Sequence, residues 1–199
     1  MSARILLSIA SLALTILPAS AQNTQQQSFV SGGHVKIKLE AGDYKIQPSA
    51  DNQLRVTWSG DSVEHPRVKV RIEAAGSSAE IRVENTPNNN SHFHATIEVP
   101  ANTDLYVRLS AGDLTVSGIT GSKDLESHAG DMIVDVGKPT DYSHVDASVT
   151  AGDLNADAFK VAKGGLFRSF KWNGPGSYSL HAHLLAGDLT LRASSATNN

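Results

Sequence analysis

The residues with the most capacity for chemistry in this 199-residue chain are two His-x-His pairs and a set of repeated aspartates. The pairs are His92/His94 and His181/His183. On a strand, residues i and i+2 share a face and lie about 6.6 Å apart, so each pair sets two imidazoles side by side. Zinc or copper would need a third or fourth ligand from another strand, and no ligand-spacing motif supplies one. The apolar neighbours Phe93, Ala95 and Ala182 take the alternate positions. That points the histidines outward, as solvated strand residues. The aspartates are Asp43, Asp113, Asp131, Asp153 and Asp188, and each closes an Ala-Gly-Asp triplet. Aligned carboxylates about 4.8 Å apart repel, and a hard cation such as Ca²⁺ would relieve that. Calcium-binding rolls carry Gly and Asp at a far denser, nine-residue period. The expected role of these carboxylates is therefore to accept hydrogen bonds from turn N–H groups. No metal and no cofactor is expected.

The elements that must position these residues follow from the same triplets. Upstream of Ala41, Ala111, Ala151 and Ala186, apolar residues recur at every second position: Val35, Ile37 and Leu39; Leu105, Val107 and Leu109; Val145, Ala147 and Val149; Leu180, Ala182 and Leu184. This is the alternation of a strand with one buried face. Downstream the apolar positions are Tyr44 and Ile46, Leu114 and Val116, Met132 and Val134, Leu189 and Leu191. The parity slips by one across Gly-Asp, so a straight strand would turn its apolar face to solvent. A bend at Gly-Asp keeps both arms on one core. A two-residue hairpin would do this, and so would a corner between strands of a β-solenoid, with Gly supplying the special backbone conformation. Spacings of 18 residues between Ala111 and Ala129, and 22 between Ala129 and Ala151, suit a solenoid coil. The 35 residues from Ala151 to Ala186 require an insertion or a degenerate corner.

The stretch Val99 to Val136, VPANTDLYVRLSAGDLTVSGITGSKDLESHAGDMIVDV, resembles a bacterial putative-adhesin family of unknown function. Its members repeat Ser/Ala-Gly-Asp-aliphatic-x-Val units after a Val-Pro-x-x-x-x-Leu entry. The resemblance implies an all-β, β-helix-like stack of short strands over roughly residues 30–195, consistent with the repeat period. Residues 44–100 hold no clean triplet after Asp43 and allow a sandwich-like first half instead.

Residues 1–21 read as a signal peptide: Arg4, an apolar run from Ile5 to Leu17, then Ala19-Ser20-Ala21 before Gln22. Residues 22–29 are polar and read as a disordered leader. Residues 30–195 read as a single domain, periplasmic or extracellular. There is no cysteine, so an exported fold must rest on packing and backbone pairing rather than disulfides. The net charge of −3, with no basic run, argues against nucleic acid as a partner. No later stretch is long and apolar enough to span a bilayer. Nucleophile elbows, phosphate-binding Gly loops and cysteine nucleophiles are all absent. The aromatic group Phe167, Phe170, Trp172 and Tyr178 is expected to cap an open end of the strand stack. The expectation is an exported, non-catalytic structural or binding module whose partner is a cell-surface glycan or protein. The alternatives are a carbohydrate-binding or carbohydrate-active β-helix, and a metal-dependent module using the Asp corners or the His pairs.

Overall fold

The computed structural model of the protein describes residues 23–59, 68–86 and 93–193. The alternating segments are strands. The first half holds β1 (Asn23–Ser28), β2 (Gly33–Leu39), β3 (Asp43–Pro48), β4 (Gln53–Ser59), β5 (Lys69–Ala75), β6 (Ser78–Glu84), β7 (His94–Val99) and β8 (Thr103–Leu109). The second half holds β9 (Leu114–Val116), β10 (Lys123–Ala129), β11 (Met132–Asp135), β12 (Tyr142–Ala151) and β13 (Leu154–Ala156). It ends with β14 (Val161–Lys163), β15 (Leu166–Asn173), β16 (Tyr178–Ala186) and β17 (Leu189–Arg192).

They form two mixed sheets. One runs β1-β4-β7-β3-β9-β11-β17-β13-β14, the other β15-β12-β16-β10-β8-β2-β6-β5. The central strands pair in parallel, from β6 to β12 in the second sheet and from β7 to β13 in the first. The flanking pairs β1/β4, β4/β7, β5/β6, β12/β15 and β13/β14 are antiparallel. The buried faces of both sheets belong to one apolar cluster. Strict register aligns its members in rows. One row crosses the eight-stranded sheet as Ile72, Ile81, Ile37, Val107, Leu125, Ala182, Ala147 and Phe170, every member buried. A row of the other sheet runs Val56, Ile97, Ile46, Val116, Val134 and Leu191, also buried throughout. One-residue slippage would expose a whole row, so the alternation enforces the register.

Each Ala-Gly-Asp triplet carries the chain from the eight-stranded sheet into the nine-stranded one: β2 to β3, β8 to β9, β10 to β11, β12 to β13 and β16 to β17. The bend required by the parity slip is therefore present. Glycine is needed at the corner for two reasons. Gly112 and Gly130 have φ of 107° and 108°, a region that side chains disfavour. The neighbouring layer also presses close: a Cβ on Gly130 would lie 2.3 Å from the Gly112 carbonyl oxygen, and one on Gly187 2.0 Å from that of Gly130.

The corners stack in the order 42, 112, 130, 187, 152. Their glycine N–H groups show this, each donating to the alanine carbonyl of an adjacent layer: Gly42 to Ala111, Gly112 to Ala129, Gly130 to Ala186 and Gly187 to Ala151. This is not chain order, which a regular coil would keep. After β13 the chain lays β14 and β15 along the open edges of β13 and β12, then returns β16 and β17 between layers already placed. The long spacing from Ala151 to Ala186 is this excursion. Asp157 to Lys163 is a 3₁₀ turn at Asp157–Phe159 followed by β14.

The structure also corrects the expected disordered leader: Asn23–Ser28 is edge strand β1. It pairs with β4 in register from Asn23↔Trp58 to Ser28↔Gln53. Polar composition correctly signals that β1 contributes nothing to the core. An edge strand needs only ladder bonds and side-chain hydrogen bonds, such as Arg55 Nε to Gln26 Oε1 at 3.1 Å. No helix among the described residues is long and apolar enough to cross a membrane.

Candidate functional site

Parallel register that aligns the core also aligns the outer face of the eight-stranded sheet. One outward row reads Glu80, Lys36, Tyr106, Asp124, His181, Asp146, and the next Arg82, Lys38, Arg108, Glu126, His183, Ser148. Opposite charges meet along and across strands. Glu80 is held by Arg82 at 2.9 Å and Lys38 at 3.2 Å, which keeps its carboxyl below the usual range, the Arg82 hydrogen bond first. The Arg108 guanidinium spans Asp124 and Glu126, at 2.9 Å from each, and lies 3.6 Å from the Tyr106 ring centroid. Lys171 pairs with Asp146 at 3.1 Å. These pairs lie at the surface, partly exposed, and each contributes little to stability. Their main effect is to hold polar groups in fixed places on a flat face.

At one end of this face lies a cleft of about 510 Å³. Val35, Ala79 and Leu105 border it with backbone only, their side chains lying in the core, and His34, Lys36, Glu73, Glu80, Asp104 and Tyr106 surround it. His34 Nδ1 meets Asp104 Oδ2 at 3.1 Å. The other Asp104 oxygen accepts the Ser122 N–H at 2.7 Å, which fixes that carboxylate. An exposed aromatic ring beside carboxylates and an ammonium can recognise a ligand that carries hydroxyls on an apolar frame.

Ser148 Oγ lies 2.8 Å from His183 Nδ1. A nucleophile–base pair of this kind also needs an oxyanion hole. Ser148 sits mid-strand, with β15 paired on one side of β12 and β16 on the other. The neighbouring backbone N–H groups belong to those ladders, so the pair is a cross-strand hydrogen bond.

The repeat aspartates stand in one column along the corners. Asp43 Oδ1 accepts the Asp113 N–H at 3.2 Å, Asp113 Oδ1 that of Asp131 at 2.9 Å, and Asp131 Oδ1 that of Asp188 at 3.0 Å. Asp188 Oδ1 accepts the Asp153 N–H at 2.9 Å. The donors come from the next layer, not from within the same turn. His94 faces Asp43 at 3.3 Å. His92 lies outside the described residues. His181 and His183 are half-buried rather than freely solvated. His181 lies beside Asp124 and Glu126, one ligand atom of each falling within 4.8 Å of the others.

Sequence reasoning missed Asp124, Glu126, Tyr106, Arg108 and Lys123. A signal for the first four existed. Counted back from each triplet alanine, Lys36, Tyr106, Asp124, Asp146 and His181 all stand at the fifth position, and Lys38, Arg108, Glu126, Ser148 and His183 at the third. Lys123 breaks the pattern from inside, because it takes a core position in the row Leu105, Lys123, Leu180, Val145. It is 2% exposed, and its ammonium donates to the Gly121 carbonyl and to Tyr142 Oη, both at 3.0 Å. Burial pushes its pKa down to about 8, and burial likewise raises that of Tyr142.

The aromatic insertion divides. Phe170 is buried and ends the inner row, its ring centroid 5.3 Å from that of Phe159, with Trp172 5.2 Å from Phe159 on another side. Tyr178 packs on Tyr142 instead, at 6.1 Å. Phe167 is 80% exposed and takes a positive φ of 52°. The expectation that Phe167 plugs the core is therefore wrong. That backbone conformation, and a parity on β15 opposite to that of Phe170, turn the ring to solvent.

No family model and no curated protein matches this chain in sequence. Among solved structures, a putative cell adhesion protein from Clostridium sporogenes is similar. The match covers 86% of this chain and 99% of that one, at 13% identity and a TM-score of 0.53. A putative adhesin from Parabacteroides distasonis overlaps 86% of this chain and 70% of its own, at 12% identity and a TM-score of 0.27. At that score the second likeness carries no argument. The first shows a shared all-β fold.

Proposed function

We propose that this protein is an exported, non-catalytic binding module of the adhesin-like kind, with its layers read as an irregular β-solenoid. Its ligand surface is the outer face of the eight-stranded sheet, and its ligand a neutral or amino-bearing glycan. The observation that carries this reading is the cleft beside Tyr106. It combines an exposed ring with Asp104, Glu73 and Glu80, and its acidic rim disfavours anionic sugars. The adhesion name of the Clostridium sporogenes neighbour supports the binding role. The leader 1–21 supports export, with cleavage before Gln22.

The test is a glycan array probed with protein recovered from an export-competent host, its intact mass marking a chain that begins at Gln22. Tyr106→Ala should lose about tenfold in affinity for the glycans bound by the wild type, the scale of one lost aromatic contact. Binding untouched by Tyr106→Ala, or none at all, would contradict the reading.

A further inference from the structure

Outside the cleft, the same face holds a second cluster that the glycan reading does not use. His181 and His183 are the half-buried histidines among the described residues. Ser148 anchors His183, whereas no described residue gives His181 a hydrogen bond or an ion pair. Its register neighbours are Asp124 on β10 and Asp146 on β12. Asp146 is engaged by Lys171. Asp124 Oδ1 is shielded from solvent. It lies 2.9 Å from an Arg108 nitrogen, yet it has no partner at a hydrogen-bonding angle. Such a poorly directed contact leaves the oxygen's lone pairs available. Two carboxylates, Asp124 and Glu126, thus share one guanidinium and retain a net negative charge beside an imidazole without a partner.

We propose that Asp124, Glu126 and His181 form a zinc-binding site on the outer face of the eight-stranded sheet, with Arg108 as the cation that occupies it in competition. Zinc takes imidazole nitrogen and carboxylate oxygen at about 2.0–2.2 Å. Ligand atoms now within 4.8 Å of one another need to close by roughly 1 Å, within reach of side-chain rotation on rigid strands. The mixed nitrogen and oxygen set favours a first-row transition ion over Ca²⁺ or Mg²⁺, which prefer all-oxygen shells. Three ligands from two adjacent strands of a flat sheet leave the remaining positions toward solvent, open to water or to a donor group from a partner.

The test is isothermal titration of the full chain with Zn²⁺ alone, with Ca²⁺ as the control. One Zn²⁺ should bind per chain, and Ca²⁺ should not bind there. His181→Ala and Asp124→Asn should each weaken zinc binding by at least about tenfold. Arg108→Gln should tighten it, since the competing cation is gone. A purely structural salt-bridge cluster would give no such gain. Glu73→Gln, in the cleft on edge strand β5 and remote from β10 and β16, should leave zinc affinity unchanged, which separates this site from the glycan cleft. All four positions face outward, and thermal melts confirm that each variant folds. Zinc affinity indifferent to His181→Ala, or no saturable binding in both the wild type and Arg108→Gln, would overturn the proposal.

Discussion

The corner column and the outer face are two ladders built from the same repeat, and they treat side chains in opposite ways. At five corners the residue type is fixed as Ala-Gly-Asp. There one oxygen each of Asp43, Asp113, Asp131 and Asp188 accepts a backbone N–H of the next layer. On the outer face, five residues before each alanine, the type varies from Lys36 to Tyr106, Asp124, Asp146 and His181. The backbone there is satisfied by strand pairing, so the side chains are left for one another and for a ligand. Within one molecule, uniform repeat positions build the stack and variable ones give it a surface.

That comparison breaks most readily at a corner glycine. Gly130→Ala places a methyl 2.3 Å from the Gly112 carbonyl oxygen at a φ of 108°. It should cost on the order of 4 kcal/mol, combining strain with overpacking. Glu126→Gln on the outer face should cost less than about 0.5 kcal/mol. Urea melts of the two variants, run side by side, measure the contrast, and similar losses would dissolve the distinction.

The end of the stack sharpens it. Phe170→Ala opens the buried end of an inner row and should destabilise by roughly 3 kcal/mol. Phe167→Ala, three residues earlier and facing solvent, should stay within about 0.5 kcal/mol. Denaturant midpoints decide this, and a large loss for Phe167→Ala would mean that its ring is covered in solution.

A smaller effect is expected at Lys123, where a charge stands in the core row. Its folded pKa of about 8 lies below the usual lysine value near 10.5. Between those values the unfolded chain binds more protons, so this group makes stability rise as pH rises from about 8 toward 10. Tyr44 and Tyr142, held above the usual tyrosine range by burial, act in the opposite direction once pH passes about 10. Lys123→Met should raise stability at pH 7 by about 1–2 kcal/mol, part of the gain lost to unpaired Tyr142 Oη. It should also flatten the rise above pH 8. A variant with the wild-type pH slope would show that the ammonium is not desolvated.

Much of this was legible in the chain. Alternation around each triplet specified the strands, and the parity slip at Gly-Asp specified the bend. What alternation could not specify was order. Layer 178–192 lies between layers that precede it in the chain, because β16 completes both β10 and β12. A period carries no information about which neighbour a strand chooses. The zinc cluster was hidden for the same reason. Asp124 and His181 stand at the same repeat offset, but only the layer order sets them side by side. Strand β1 was hidden because its pairing uses backbone, which composition does not report. Phe167 and Phe170 read as one aromatic cap, although three residues apart on one strand they face opposite ways, and the positive φ at Phe167 adds to that separation.

The layer order and the aspartate column are tested together by residue-resolved amide hydrogen exchange in Asp131→Ala. Asp131 Oδ1 accepts the Asp188 N–H, whereas the Asp131 N–H itself donates to Asp113. Removing the carboxylate should deprotect the Asp188 amide, 57 residues away in sequence. The Asp113 and Asp153 amides, which donate to Asp43 and Asp188, should keep their protection. Loss of protection at Asp153 instead of Asp188 would mean that the layers stack in chain order, and would contradict the architecture on which the outer-face rows depend.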